Sequence, residues 1–509
     1  MPRPARIERL ARLSVFALCL GLAPTPVRPA AAAPTGVSAG PTASAGDKAA
    51  LGAAFEKVLT NKALKGARVT VYVAPANGGP VVYEHAGDER LHPASNTKLL
   101  TTAAVLVRLG PEYTWHTPLT APTFTDGVAS SLTLVARGDP SFVTETLAKL
   151  VEDAHLNGLR EVAGDLVVDE SYFGPEHSPP GFDAHVTDEA FRAPSGAASL
   201  NFNQIAVQIA PGAKAGDPVV VRLSPDCNYA RVDNKATTRA KGRPRAEISV
   251  LPDHGKVVVR ISGTLPVGAE PYTTRRRIDD PALFTGMALR KALEQSGIPV
   301  RGTVRIQSTP TPAGGVEIAR TVSRPLGTLI GDVNKYSNNF MAEQLLRTLG
   351  AVKRGRGDWD AGRAEVLDFA QVELGLTGIR YANGSGLFGD TALSGRDFVT
   401  LLSHMHTRRP YLPEFEASLA IGGADGTMQK RAHGFAPYTL RVKTGTLDGV
   451  VALSGYAPFA DGSVAAFSIL MNDVAGRPWE IWKLHDRMLT LIGAWDPTTS
   501  TLRPVAGEE

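Results

Sequence analysis

Ser95, Lys98, Ser337, Asn339 and Lys443 are the residues whose types and spacing could carry covalent chemistry. Ser95 and Lys98 stand three positions apart at the head of SNTKLLTTAAVLVRLG, so a helix beginning at Ser95 places an amine beside a hydroxyl on one face. A serine hydroxyl is a poor nucleophile at neutral pH until a neighbouring base takes its proton. A helix N-terminus adds partial positive charge where an alkoxide would form. Alone, such a tetrad far more often marks a capped core helix whose lysine points to solvent, because short motifs recur by accident.

Two later constellations change that balance. Lys443-Thr444-Gly445-Thr446 ends the strand-like TLRV. On a strand, Lys443 and Gly445 face one side and Thr444 the other, and Gly445 would let a substrate backbone approach closely. A lysine with two hydroxyls at the border of a cleft suits the terminal carboxylate of a peptide. Between the two motifs lie several polar pairs. Ser337-Asn338-Asn339 and Ser199-Leu200-Asn201 both fit SxN, and Tyr336-Ser337-Asn338 and Tyr381-Ala382-Asn383 fit YxN. Ser337 with Asn339 is preferred, since the pair falls in a polar turn between two helical runs, where side chains can reach a cleft.

The elements that must position these groups come from both ends of the chain. LGAAFEKVLTNKAL has helical spacing, and ARVTVYVAP and PVVYEHA read as strands around the turn Asn77-Gly78-Gly79. From residue 115 to 280 short β-rich runs recur, and the charged ARVDNKATTRAKGRPRAE reads as a solvated loop. Helical texture returns with PALFTGMALRKALEQSGI. TLRVKTG, VVALSGYAP and VAAFSILMN are three strands, and PWEIWKLHDRMLTLIG is a closing helix. The expected organisation is a signal peptide over 1–32, a flexible lead-in over 33–46, a first catalytic-domain segment over 47–114, an inserted β-rich region over 115–280, a second segment over 281–496 and a tail over 497–509.

The signal assignment rests on Arg3, Arg6, Arg9 and Arg12, the apolar run Leu13 to Ala23, and a small-residue cleavage site ending at Ala32. It implies export through the inner membrane to the periplasm or cell envelope, with at most peripheral membrane association. The full chain of 509 residues is 43% hydrophobic and carries 54 basic and 50 acidic residues, a net charge of +4. Residues 1–32 hold five arginines against Glu8, so the mature chain falls to 49 basic and 49 acidic residues. No global charge argument for nucleic acid survives. Cys227 is the only cysteine after residue 32, which excludes an intrachain disulfide there. No metal-binding pattern such as HExxH or paired CxxC occurs.

SxxK, SxN and KTG in this order are the motif set of penicillin-binding proteins and related β-lactamases. With HPASNTKLLTTAAVLVRLG, Gly138-Asp139-Pro140, NKYSNNFMAEQLLRTLG, NGSGL at 383–387, GGADGTMQKR at 422–431 and VKTGTLDGV, the sequence resembles the D-alanyl-D-alanine carboxypeptidase/endopeptidase family, the low-molecular-mass class C penicillin-binding proteins. The resemblance covers most of the mature chain, and the long gap between Ser95 and Ser337 is typical of it. Asn338 stands where Asp is more usual, and Asn383 precedes GSGL where Asp is common. The first points away from the usual catalytic pair, so little effect is expected.

The resemblance implies an α/β (α+β) penicillin-binding/serine β-lactamase-like transpeptidase fold, its sheet built from both ends of the chain, with β-rich inserted domains. It implies that Ser95 attacks the carbonyl between two D-alanines of a peptidoglycan stem peptide and is acylated by β-lactams. Lys98 would accept the Ser95 proton, Ser337 relay one to the departing amine, and Asn339 orient Lys98 and the substrate amide. Lys443 would lower the proton affinity of Lys98 and, with Thr444 and Thr446, hold the substrate carboxylate. The Ser95 and Thr446 N–H groups would form the oxyanion hole. No metal or cofactor is required. Gly384 to Leu387 read as a sharp supporting turn, and Asp425-Gly426-Thr427 as a possible border of the cleft. The rival readings are a β-lactamase or esterase on the same scaffold, which needs a group to activate deacylating water, and a non-catalytic envelope protein that binds wall peptides.

Overall fold

The computed structural model describes residues 45–182, 187–436 and 438–504. The signal peptide and most of the lead-in expected from the sequence lie outside them. Among the described residues no helix is long and apolar enough to cross a membrane.

Strands from both ends of the chain form one antiparallel six-stranded sheet. Its order is Ala420–Ile421, Arg441–Leu447, Val450–Pro458, Val464–Asn472, Arg68–Pro75, Tyr83–His85. The central strands are apolar on both faces and sort by the two-residue period of a strand. Val71, Val73, Leu453, Phe467, Ile469 and Met471 face one side, where the helices Ala45–Leu59 and Pro478–Ala494 cover them with Leu51, Phe55, Ile481, Met488 and Leu489. Tyr72, Ala452, Tyr456, Ala466 and Leu470 face the other. There the helices Thr97–Leu109, Asn339–Arg354, Trp359–Leu374 and Gly395–Thr407 pack.

The chain leaves this body after Trp115 and returns at Ser323, and the two crossings are tied together. The Trp115 N–H donates to Ser323 Oγ and the Ser323 N–H to the Trp115 carbonyl, each at 2.9 Å. The excursion holds a five-stranded sheet in the order Val304–Gln307, Leu166–Asp169, Leu132–Val135, His116–Ala121, Val316–Val322, plus smaller sheets between residues 204 and 277.

The boundary expected at 280 is therefore corrected to Val322. The excursion closes by pairing its last strand antiparallel with its first. Helical texture resumes at 281 as expected, but Phe284, Leu289 and Leu293 of the helix Pro281–Gln295 bury into the excursion's own core. A second helix, Thr144–Leu156, lies inside the segment read as β-rich. The charged stretch read as a loop contains the strands Ala230–Asn234 and Thr237–Arg239 and leads into Arg245–Asp253. Two of its charges pair across strands, Arg231 with Asp253 at 2.9 Å and Asp233 with Arg260 at 3.2 Å. Cys227 is a buried free thiol.

Candidate active site

Three elements meet at the site. The first is the turn Ala94–Asn96, a 3-10 helix that runs directly into the helix Thr97–Leu109. Thr97 Oγ1 donates to the Ala94 carbonyl at 2.8 Å, and the Asn96 side chain donates to Ser454 Oγ on the central sheet at 2.7 Å. The turn that carries Ser95 is thus pinned to both its own helix and the sheet. Leu99, Leu100, Ala103 and Ala104 are fully buried beneath it.

The second is the turn between the helices Leu326–Lys335 and Asn339–Arg354. Ser337 sits there at φ 56°, a left-handed conformation that non-glycine residues adopt only under constraint. Asn338 Oδ1 accepts from the Met341 N–H at 3.1 Å, so this side chain caps the helix and points away from the site, as expected.

The third is the strand Arg441–Leu447. Its register against Val450–Pro458 is regular, and on its outer side only Arg441 and Val442 are paired, with Ala420–Ile421. Lys443 is fully buried. Gly445 lies against the turn that carries Ser95. A Cβ there would stand 2.7 Å from the Pro93 carbonyl oxygen and 3.1 Å from the Ser95 nitrogen. The missing side chain makes room for the turn that carries Ser95.

Between these elements the polar side chains converge. Lys98 Nζ lies 2.9 Å from Ser95 Oγ and donates to Asn339 Oδ1 and to the Ser385 carbonyl, each at 2.7 Å. Lys443 Nζ donates to Ser337 Oγ at 3.0 Å and to the Thr444 carbonyl at 2.7 Å. Thr444 Oγ1 donates to Thr427 Oγ1 at 2.8 Å, which brings the Asp425–Thr427 segment to the same border. Thr446 is exposed beside them. Burial drives the Lys98 amine well below its ordinary proton affinity, and the charge of Lys443 lowers it further while Glu343 opposes. Burial lowers Lys443 to about 7.

Comparison with known proteins gives the same answer. A family model described as the D-Ala-D-Ala carboxypeptidase 3 (S13) family matches residues 51–482. The chain belongs to this family. That membership makes it a serine-type D-Ala-D-Ala carboxypeptidase, as the three motifs implied. It is 32% identical over 441 residues to a D-alanyl-D-alanine carboxypeptidase of an Actinomadura strain, covering 83% of this chain and 81% of the relative. It is 23% identical over 425 residues to the D-alanyl-D-alanine carboxypeptidase DacB of Haemophilus influenzae, covering 81% and 87%. The crystal structure of penicillin binding protein 4 (dacB) from the same organism superposes with a TM-score of 0.73 at 21% identity, over 85% of this chain and 97% of that one. A second structure of it, complexed with a novel β-lactam, gives 0.68. The fold is the expected penicillin-binding one, with mixed sheets and β-rich insertions.

Ser95, Lys98, Ser337, Asn339 and Lys443 are therefore brought together, and Thr444, Gly445 and Thr446 line the adjoining strand. Ser199, the discarded SxN serine, is buried in the excursion and bonds the Gly196 carbonyl at 2.8 Å. Three partners were not named from the sequence. Two are backbone carbonyls: Ser385, within the turn read as supportive, and Phe191, which accepts from Asn339 Nδ2 at 2.9 Å. A main-chain oxygen leaves no compositional trace. The third, Glu343, had a signal: a carboxylate inside the mostly apolar FMAEQLL, one helical turn past Asn339.

Proposed function

We propose that Ser95 is the residue acylated in D-Ala-D-Ala cleavage and that Lys98, acting as the neutral amine, takes its proton. The observation that carries this is the set of partners around Lys98 Nζ. A neutral amine has two N–H donors and one lone pair. Asn339 Oδ1 and the Ser385 carbonyl are acceptors only and take the two hydrogens. The lone pair is left facing Ser95 Oγ. The Phe191 carbonyl on Asn339 Nδ2 supports this assignment, since it requires the amide oxygen to be the atom turned to Lys98.

Attack by Ser95 Oγ on the carbonyl between the two D-alanines then passes its proton to Lys98. Ser337, bonded to Lys443, delivers a proton to the departing amine, and Asn339 steers the amide of the acyl portion. The unpaired outer edge of the strand from Lys443 to Leu447 suits an extended peptide, with Lys443, Thr444 and Thr446 around its terminal carboxylate. The N–H groups of Ser95 and Thr446 would serve the oxyanion, each such donor being worth about 3 kcal/mol. Water releases the shortened peptide.

The substrate in this reading is a peptidoglycan stem peptide, and a β-lactam presents a strained amide to the same Oγ. Export to the envelope follows from the basic and apolar N-terminal run of the sequence. A β-lactamase on this scaffold would need a base for the deacylating water. The acidic side chain beside Lys98, Glu343, is instead engaged by three N–H donors. Incubation with a stem peptide ending in D-Ala-D-Ala, and separately with a cross-linked dimer, tests the reading by the amine released. Free D-alanine or resolved monomers support it; intact substrates with rapid multiple turnover of nitrocefin would replace it with the β-lactamase reading.

A further inference from the structure

Among the described residues Glu343 is a fully buried ionisable side chain for which the mechanism above has no use. It projects from the helix Asn339–Arg354 and is 1% exposed. Oε1 accepts from the Ser385 N–H at 2.8 Å, and Oε2 from the Gly384 N–H at 3.1 Å and from Trp359 Nε1 at 2.9 Å. Both backbone donors belong to the turn whose Ser385 carbonyl receives a hydrogen from Lys98.

Thr101 Oγ1 also holds the turn, donating to the Gly384 carbonyl at 2.7 Å. Glu343 grips the two peptide units leading up to the carbonyl. Asn383 Oδ1 accepts from the Gly386 N–H at 2.9 Å, which holds the unit that contains it. Close approach makes the grip rigid. A Cβ on Gly384 would lie 2.6 Å from the Ala342 carbonyl, one residue before Glu343, and one on Gly386 would lie 2.2 Å from the Ala94 carbonyl. The turn is therefore wedged between the SxN helix and the nucleophile's turn, and the carboxylate joins them.

Resting on the reading of Ser95 and Lys98 given above, we propose that Glu343 is a positioning residue for that pair: by holding the Gly384 and Ser385 N–H groups it aims the Ser385 carbonyl at Lys98 Nζ and so directs the amine lone pair to Ser95. The carboxylate also supplies the negative charge nearest the amine. The groups that face it from the surrounding elements are Lys98 on the nucleophile helix, Arg347 one turn along its own helix, Trp359 on the next helix and Tyr381 before the turn. Arg347 is itself committed to the carbonyls of Gly174, Glu176, Ser195 and Gly357 and is stacked between Phe173 and Trp359. It does not neutralise Glu343 by direct contact. Burial pushes the carboxyl of Glu343 up, and hydrogen bonds from the Ser385 hydroxyl, Trp359 and the Gly384 and Ser385 N–H groups pull against that.

The two contributions separate in two variants. Glutamine keeps the size but offers one acceptor oxygen, and its amide hydrogens oppose a backbone N–H. In Glu343→Gln the plateau rate of acylation by a fluorescent penicillin should fall about tenfold or more, a fraction of the ~10²–10⁴ that a positioned base contributes. The midpoint of its acid limb should move to lower pH, because a negative charge that favours protonated Lys98 is gone. Glu343→Asp keeps the charge but withdraws it by one methylene, so its plateau should fall while its midpoint stays. Folding of each is checked by thermal melting, and if the glutamine variant does not fold the aspartate variant decides. A folded variant with the wild-type plateau overturns the proposal. So does a Gln variant whose plateau falls with an unmoved midpoint, the result of a merely structural role. Failure of the underlying reading looks different, since the wild-type protein itself would then acquire no penicillin adduct on Ser95.

Discussion

The Pro93 carbonyl oxygen and Gly445 are so close that a methyl group does not fit between them. A Cβ at 445 would stand 2.7 Å from that oxygen, and the neighbour is backbone rather than a side chain that could swing aside. The glycine of KTG thus sets how closely the strand approaches the turn that carries Ser95.

Gly445→Ala should accordingly damage chemistry more than stability. The strand or the Pro93–Ser95 turn must shift, and overpacking of this kind typically destabilises by about 1–3 kcal/mol. The same displacement moves the Ser95 N–H relative to the strand, so acylation should slow by about 10²-fold, on the scale of losing one oxyanion donor. Stopped-flow acylation beside a thermal melt checks this; a normal acylation rate in the folded variant would contradict it.

Lys443 gives a pH prediction whose sign is fixed. Its charge lowers the proton affinity of Lys98, so Lys443→Met should move the acid limb of penicillin acylation to higher pH, opposite to the shift expected for Glu343→Gln. Stability follows from linkage. The folded-state value of Lys443 is about 7, below its ordinary 10.5. Between those values the unfolded chain binds more protons, so stability rises with pH from about 7 toward about 10. In the methionine variant that rise should be smaller. Melts at pH 7 and pH 9.5 measure it, and an unchanged difference would contradict the assignment.

His485 predicts behaviour at acid pH, far from the chemistry. It is fully buried on the helix Pro478–Ala494, neither ring nitrogen has a hydrogen-bond partner, and burial followed by the charge of Arg431 lowers it to about 3. Its ordinary value is 6.5. As pH falls below that, the unfolded chain gains a proton the folded chain cannot take, so stability is lost progressively toward pH 3. His485→Leu should flatten the fall in melting temperature between pH 7 and pH 4.5 while leaving acylation at pH 7 unchanged. A fall as steep as in the wild type would show that other groups set the acid limit.

The site was legible in the sequence because its chemistry demands side chains at fixed spacings on regular elements. Ser95 and Lys98 share a helical face, and Lys443 lies on the strand Arg441–Leu447. What could not be read was main-chain or long-range in origin. The approach of the Pro93 carbonyl to Gly445 joins two segments far apart in the chain, and no local pattern announces it. The end of the excursion was misplaced because the helix Pro281–Gln295 carries the same apolar spacing whether it packs on the catalytic sheet or, as it does, on the excursion's own. The charged run at 230–247 reads as a solvated loop because charges cluster in it, and the strand register that sets Arg231 against Asp253 has no local signature.

The most direct test of the central claim is the location of the adduct formed with a penicillin. Intact-mass and peptide-mapping measurements should find one penicilloyl group per chain, on Ser95, and none in Ser95→Ala, which should also release no D-alanine from a D-Ala-D-Ala peptide. An adduct on any other residue, or labelling that persists in Ser95→Ala, would contradict the account.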